Sequence, residues 1–408
     1  MDQRWVLTPD PPTRREVGPP VRPGSLIPVE MREALRRGRW DAAVRLAVGA
    51  GITDLNHVTD TLFYLLHPEL RARPCEVRWG ARAREWAQIR DRRVRPVLQA
   101  TQPAVLRASF GVDTASTDKN LGADWARAKA QVPLEFAIVR ANWGASRDSE
   151  FLHHWPRLKA AGLVRGAYLF LRFPHPRSDR RYGRPASPVA QARALIERIP
   201  SLDPGELPPS LDVEFPDPGR KATGMTARQV LDGVRAAWGA LRDHYGVPPI
   251  IYTSNRVWCD DLGNLPAPDL IESPLWLTPY IEKRRRPAIL DPRRFAGGQR
   301  NPRVPSPWGD ATNWWIHQYQ GDATGLPGFR GIVDMNRFNV TARGATGDRV
   351  RWVQRRLGIP QSGAFDAATE QALRAFQSSR GVTADGVVGP RTFAYLCWSQ
   401  PGSPRRRS

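Results

Sequence analysis

The sequence predicts an α/β protein: a modified (β/α) barrel of eight strands with degraded last helices, plus an N-terminal helical module and a C-terminal three-helix bundle. Three observations carry this expectation. Between residues 109 and 339 short apolar runs alternate with helical segments, the pattern of successive βα units. Eight such runs are present, enough to close a barrel. Acidic residues end or nearly end several of them, and in barrels of this kind the chemistry gathers at the C-terminal ends of the strands.

Taken in order, residues 1 to about 27 are rich in proline, glycine and charge and read as an extended arm. MREALRRGRWDAAVRLAVGAG then reads as two short amphipathic helices stopped at Gly38 and Gly51. Thr53-Asp54 opens a third, whose apolar face is Leu55, Val58, Leu62, Phe63 and Leu66 and which ends before Pro68. A long basic helix from about Gly80 to Leu98 follows. This region carries nothing that suggests chemistry. It is either a small bundle packed on the next domain or a docking module.

The eight strands are read at 109–113, 135–141, 164–171, 210–215, 249–253, 275–280, 313–319 and 331–336, with helices at 123–131, 150–161, 188–199 and 226–245 between the first five. The fourth strand, SLDVEF, is bounded by prolines. Alternation puts Asp212 and Glu214 on one face, with Cα atoms roughly 6.5–7 Å apart, and Leu211, Val213 and Phe215 on the other. Two adjacent acids on an apolar strand repel, so one tends to keep its proton near neutral pH. Cleavage of a glycosidic bond needs that pairing: an acid to protonate the leaving oxygen and a carboxylate to support positive charge. Taken alone, the same pattern also describes an acidic strand end facing solvent or an arginine. Asp113 ends the first strand and Asp334 sits late in the eighth. The first and eighth strands are neighbours in a closed barrel, so all four acids can meet at one mouth.

At this point a resemblance is specific. FGVD with GADW (122–125), AIVRANWG (137–144), AGLVRGAYLF (161–170), LDVE (211–214), IIYT (250–253), LWLTPY (275–280), HQY (317–319) and GIVDMNRF (331–338) resemble, in order and spacing, the motifs of glycoside hydrolase family 25, the Chalaropsis-type lysozymes. The resemblance implies a muramidase that cuts the β-1,4 bond between N-acetylmuramic acid and N-acetylglucosamine in peptidoglycan. It also implies a barrel of five β/α units with three further strands, and neither cofactor nor metal. By position, Glu214 corresponds to the family's general acid, Asp212 to the partner carboxylate, and Asp113 and Asp334 to its remaining acids at the mouth. Asp212 is either a nucleophile or the group that steadies the substrate's own 2-acetamido as it attacks; the DxE geometry leans toward the second. Tyr168, Tyr252, Trp276, Tyr280 and Gln318 lie at strand ends, placed either to stack on and hydrogen-bond sugars or to pack in the core. Two departures stand out. The family's opening turn is DTASTDKNLG here, and Trp143 occupies a position that usually holds Glu. The basic stretches 172–185 and 282–303 fall where barrel-mouth loops belong, as clamps for anionic glycan or as solvated loops.

Beyond a short linker, residues 346–398 read as three helices. Gln354, Leu357, Phe365-Asp366, Thr369, Phe376-Gln377, Asp385-Gly386, Gly389 and Thr392 resemble the hallmark of the three-helix peptidoglycan-binding domain. The expected division is therefore a helical region at 1–104, the catalytic barrel at 105–341, a separable wall-binding domain at 345–399, and a basic tail at 400–408.

The totals set the remaining bounds. With 408 residues, 41% of them hydrophobic, the chain can form several cores. Its formal net charge of +21 comes almost wholly from arginine. Such a surface favours polyanions, including walls with phosphate and carboxylate polymers, though a GC-rich genome produces the same bias. A nucleic-acid reading rests on charge alone, without a recognisable reading motif. Three well-separated cysteines give no disulfide framework, and the seven histidines form no metal-type pair. No apolar run suits a signal peptide or a membrane span. The expectation is synthesis in the cytoplasm and action on the wall after release by lysis, a holin, or a phage- or injection-type particle.

Overall fold

The computed structural model describes residues 27–49, 55–67, 85, 88–94, 96–97, 109–132, 134–215, 223–278, 288–289, 302–309 and 313–399. They fall into two compact units, residues 1–106 with 296–299, and residues 107–295 with 300–408.

In the N-terminal unit, α1 (Ile27–Arg36), α2 (Trp40–Gly49) and α3 (Leu55–Leu66) are joined by a π-helical turn at Arg90–Val94. Gly38, at φ +67°, supplies the left-handed turn between α1 and α2. Met31, Leu35, Val44, Ala47, Val58, Leu62, Phe63, Ile89 and Val94 form a core of their own. Val58, Leu62 and Phe63 thus lie inward as expected, whereas Leu66 is exposed. The arm at 1–26 and about half of the long basic helix fall outside the described residues.

The second unit contains the barrel. Its strands are β1 (Ser109–Thr114), β2 (Leu134–Trp143), β3 (Ser146–Arg147), β4 (Val164–Phe170), β5 (Ser210–Asp212), β6 (Ile250–Ser254), β7 (Leu275–Thr278), β8 (Ile316–Ala323) and β9 (Val333–Phe338). Eight of them close in the order β1-β2-β4-β5-β6-β7-β8-β9, with β9 returning to β1. β3 is a two-residue hairpin partner at the end of β2. One feature differs from a run of parallel strands: β9 pairs antiparallel with both β8 and β1.

Helices α4 (Trp125–Gln131), α5 (Phe151–Ala160), α7 (Pro188–Arg198) and α8 (Ala227–Tyr245) follow β1, β2, β4 and β5, and a π-helical turn at Val257–Asp261 follows β6. The starts are those the sequence signals. Asp124 accepts from the Arg127 N–H. Ser187 accepts from the Ala190 N–H ahead of Pro188 at the first helical position. Thr226 and Gln229 form a reciprocal capping box. The outer strand faces, with Val112, Val139, Leu169, Leu211 and Ile251, pack against Leu195, Val230, Val234, Trp238 and Leu241 of α7 and α8. The stretch read as a loop at 172–185 contains a short helix, α6 (Pro176–Tyr182).

The barrel interior changes character along its axis. Gly111 faces inward where a Cβ would sit 2.1 Å from the Phe136 ring, so only glycine lets Phe136 cross the barrel there. At the bottom, Trp315 and Phe338 meet the C-terminal bundle of α9 (Asp348–Leu357), α10 (Ala367–Ser379) and α11 (Pro390–Cys397). Trp315 packs on Trp352 (4.9 Å between centroids) and Phe393 (4.5 Å), and Phe338 on Phe393 (5.3 Å). Backbone pairing of Thr341 with Val388 and bonds from Trp398 Nε1 to the Glu206 carbonyl and from Arg391 to the Gly162 carbonyl add polar ties. The bundle expected to be a separable domain beyond a linker therefore shares a core with the barrel floor. Inside the bundle, Gln354 and Gln377 play identical parts 23 residues apart. Each amide bridges a loop carbonyl, a glycine N–H and a threonine hydroxyl, using Ala364, Gly363 and Thr369 or Val387, Gly386 and Thr392.

Candidate active site

β1 and β9 lie side by side with Asp113 opposite Asp334. Asp334 reaches the mouth because it stands early in an antiparallel strand, not late in a parallel one as the sequence suggested. β5 enters from the other side. Asp212 is its last residue, in register with Phe170 of β4 and Tyr252 of β6. The chain continues past it in extended form, with the Val213 N–H bonded to the Tyr252 carbonyl and the Val213 carbonyl accepting from Thr253 Oγ1. Glu214 follows, partly exposed at the rim.

A buried amide network holds the β1–β9 pair. Gln318 Nε2 donates to Asp113 Oδ1 (2.8 Å) and Asp334 Oδ2 (3.1 Å). The Gln318 carbonyl accepts from the Tyr252 hydroxyl at 2.7 Å, which fixes the amide's orientation. Asn336 Nδ2 also donates to Asp113 Oδ1 (2.6 Å), and its own oxygen accepts from Trp276 Nε1 (2.7 Å). The Asp322 N–H donates to the other Asp334 oxygen.

The predicted sugar-contact residues accordingly belong to the floor. Tyr168, Tyr252, Trp276 and Gln318 are 8%, 5%, 1% and 3% exposed, and the last three spend their polar atoms orienting Asp113 and Asp334. Their side chains are packed in the barrel interior, and the polar atoms of the last three are engaged by the network around Asp113 and Asp334. Tyr280 lies outside the described residues. Asn336 and Arg140 were missed as site residues although both stand in quoted motifs. Asn336 is two positions from Asp334, on the same strand face, and Arg140 two from inward Ile138.

Burial sets the protonation of the cluster. Desolvation raises Glu214 to about 7, against the opposing pull of Arg256. It raises Asp113 to about 7 despite its two amide donors, with Asp118 and Glu214 adding repulsion. Asp212 is pushed well above the usual carboxylate range by burial, then by Glu214 and Asp113; Arg140 pulls it back. Asp334 is raised by burial and by Asp113. Arg140 is held in place by Asp148 (2.8 Å) and the Ser116 hydroxyl. Asp212 Oδ1 is buried with no hydrogen-bond partner among the described residues, a costly state unless something else supplies a donor. Among those residues no group of His, Cys, Asp or Glu is arranged to hold a metal ion, and no helix is long and apolar enough to cross a membrane.

A closed α/β barrel with proton-holding carboxylates gathered at one mouth defines a site for acid-catalysed glycoside hydrolysis. The family Glycosyl hydrolases family 25 matches residues 112–326, more than half of the chain. The chain belongs to that family and is a glycoside hydrolase. Asp113, Asp212 and Glu214 fall within the match, and Asp334 lies just beyond its end. The peptidoglycan binding domain family matches residues 346–396. Lysozyme M1 of Streptomyces globisporus is 26% identical over 246 residues, 59% of this chain and 71% of that protein. The zinc D-Ala-D-Ala carboxypeptidase of Streptomyces albus G is 42% identical over 60 residues, 13% of this chain and 24% of that one. Among solved structures, the bacterial lysozyme from Streptomyces coelicolor is 23% identical, covering 57% of this chain and 93% of its own, with a TM-score of 0.45.

Proposed function

We propose that this glycoside hydrolase is an N-acetylmuramidase that cuts the β-1,4 bond between N-acetylmuramic acid and N-acetylglucosamine in bacterial peptidoglycan. The observation that carries the reading is the pairing of Glu214, a rim carboxyl that keeps its proton to about pH 7, with Asp212, buried and with one oxygen unpartnered. Glu214 protonates the glycosidic oxygen as the bond to the anomeric carbon breaks. The free Asp212 oxygen accepts the N–H of the 2-acetamido group, whose carbonyl oxygen attacks that carbon and forms an oxazolinium ion. Water then opens the ion, giving its proton to the Glu214 carboxylate, so the acid is regenerated. Gln318 and Asn336 fix Asp113 and Asp334 at the same mouth, where whichever of these coupled carboxyls is ionised supports the developing positive charge. The reading is supported by membership of family 25 and by the peptidoglycan binding domain match at the C-terminus.

Mass spectrometry of digested, reduced peptidoglycan tests it. Reducing ends on N-acetylmuramic acid are expected, and Glu214→Gln is expected to cut their rate of formation by about 10²–10⁴. Amidase or peptidase products, or full activity in the variant, would overturn it. The N-terminal helical unit is proposed as the part that docks to a phage- or injection-type particle, with delivery to the wall through that particle or after lysis. Amphipathic helices around a core of their own support that role.

A further inference from the structure

Trp143, which departs from the family pattern, and the basic segment after β4 meet at one place. Trp143 ends β2, and the Arg172 guanidinium lies on its ring, 4.0 Å from the centroid. Tyr182 of α6 stands edge-on to Trp143 at 4.5 Å and is 52% exposed. Arg172 is itself buried, 6% exposed, and donates to Asp179 Oδ1 (3.3 Å) and to the Gly183 carbonyl (3.0 Å) at either end of the last turns of α6. Gly144, at φ +62°, makes room for its stem; a Cβ there would sit 2.9 Å from Arg172 Cδ. A buried cation thus clamps an aromatic pair in a fixed pose.

Trp143 and Arg172 border a small cleft that is also lined by Glu214 and Thr223. The segment 172–184 contains five arginines and one acid, Asp179. That acid faces Arg172, while Arg177, Arg180, Arg181 and Arg184 are exposed. An aromatic surface beside the general acid suits the C–H face of a pyranose, and exposed guanidinium groups next to it suit carboxylates.

We propose that Trp143, Tyr182 and the arginines of α6 form a substrate subsite contiguous with Glu214, which stacks one sugar ring and takes the carboxylates of the peptide carried by the glycan. The proposal rests on the muramidase reading and deepens it. Peptide carboxylates are favoured over phosphate polymers because they branch from the strand being cut and so arrive at the cleft together with the sugar.

The test compares kcat/KM on glycan strands bearing stem peptides with that on the same strands stripped of peptide. For Arg180→Gln/Arg181→Gln, the ratio of the two is expected to fall about tenfold, through KM rather than kcat. Trp143→Ala is expected to raise KM on both substrates, and Trp143→Phe to restore most of the loss. An unchanged ratio in the double arginine variant would overturn the peptide contact. So would a loss that disappears only when phosphate polymers are removed from the wall. Equal kinetics for Trp143→Ala and wild type would overturn the stacking surface. A wild-type enzyme that cuts neither strand, yet folds, would instead overturn the muramidase reading beneath the proposal.

Discussion

Ending the chain at Thr341 removes α9, α10 and α11 and uncovers the barrel floor. In the intact chain Trp315 and Phe338 are 1% and 4% exposed, and much of that cover comes from Trp352 and Phe393. An aromatic side chain buries about 150–250 Å². Uncovering about half of each of the two exposes ~200 Å² of apolar surface, a loss of about 5 kcal/mol at ~25 cal/mol per Å². Total stabilities run to about 5–15 kcal/mol, so the change is a large fraction of what holds the fold. For a domain of this size it corresponds to a fall of about 10–20 °C in melting temperature. The assay is the temperature of half-inactivation on soluble glycan fragments, which reports the barrel and not the bundle. Phe393→Ala in the full chain is a milder companion, expected to cost about 3–5 kcal/mol. A shortened chain that stays active to within a few degrees of the intact one would refute the shared core and restore the picture of a tethered, independent anchor.

Three further outcomes are expected. The alkaline limb of kcat/KM should fall as pH rises through about 7, because Glu214 loses its proton there; a rate that holds level to pH 9 would remove Glu214 as the acid. Asp113, raised from the ordinary 3.8 to about 7 by burial, binds its proton more tightly folded than unfolded. Stability is then full below the unfolded value and declines as pH rises toward 7, by a term on the order of 4 kcal/mol. Asp113→Asn should flatten that decline and reduce activity less than Glu214→Gln does; parallel melting curves from pH 5 to 8 would contradict it. Finally, a chain beginning at residue 107 should keep most hydrolysis of soluble substrate, since the N-terminal unit has its own core; an insoluble product would show that its helices belong to the catalytic fold.

Much of the acid cluster at the barrel mouth was legible in the sequence, for a physical reason. Carboxylates at strand ends and the two-residue alternation place Asp113, Asp212 and Glu214 with no knowledge of packing beyond barrel closure. Strand direction is not written in that alternation, which reads the same forwards and backwards. GIVDMN therefore passed as a parallel strand, and Asp334 came to the right mouth by the wrong route. Depth is likewise silent. Tyr252 and Trp276 point inward as their positions imply, yet only the closed barrel shows that the Tyr252 hydroxyl spans to Gln318 and the Trp276 N–H to Asn336, beneath the acids.

The bundle shows the same limit from the other side. Its helix stripes, Val350 with Val353 and Leu373, are what a free three-helix domain needs, and they read as one. Phe393 belongs to the bundle's own apolar face as well, whereas Trp352 is additional apolar mass, and so is Trp398, whose N–H reaches the Glu206 carbonyl. On the barrel side, NWWIHQY reads as an ordinary buried strand, although Trp315 precedes β8 at the end of the barrel that β/α connections leave open. Neither surplus is informative alone. A barrel must close its floor with side chains or with another element, because unfilled apolar space forfeits dispersion contacts. Here the floor is closed from outside, so the module that resembles a wall anchor is also the lower wall of the catalytic fold, at the end of the barrel away from the acids.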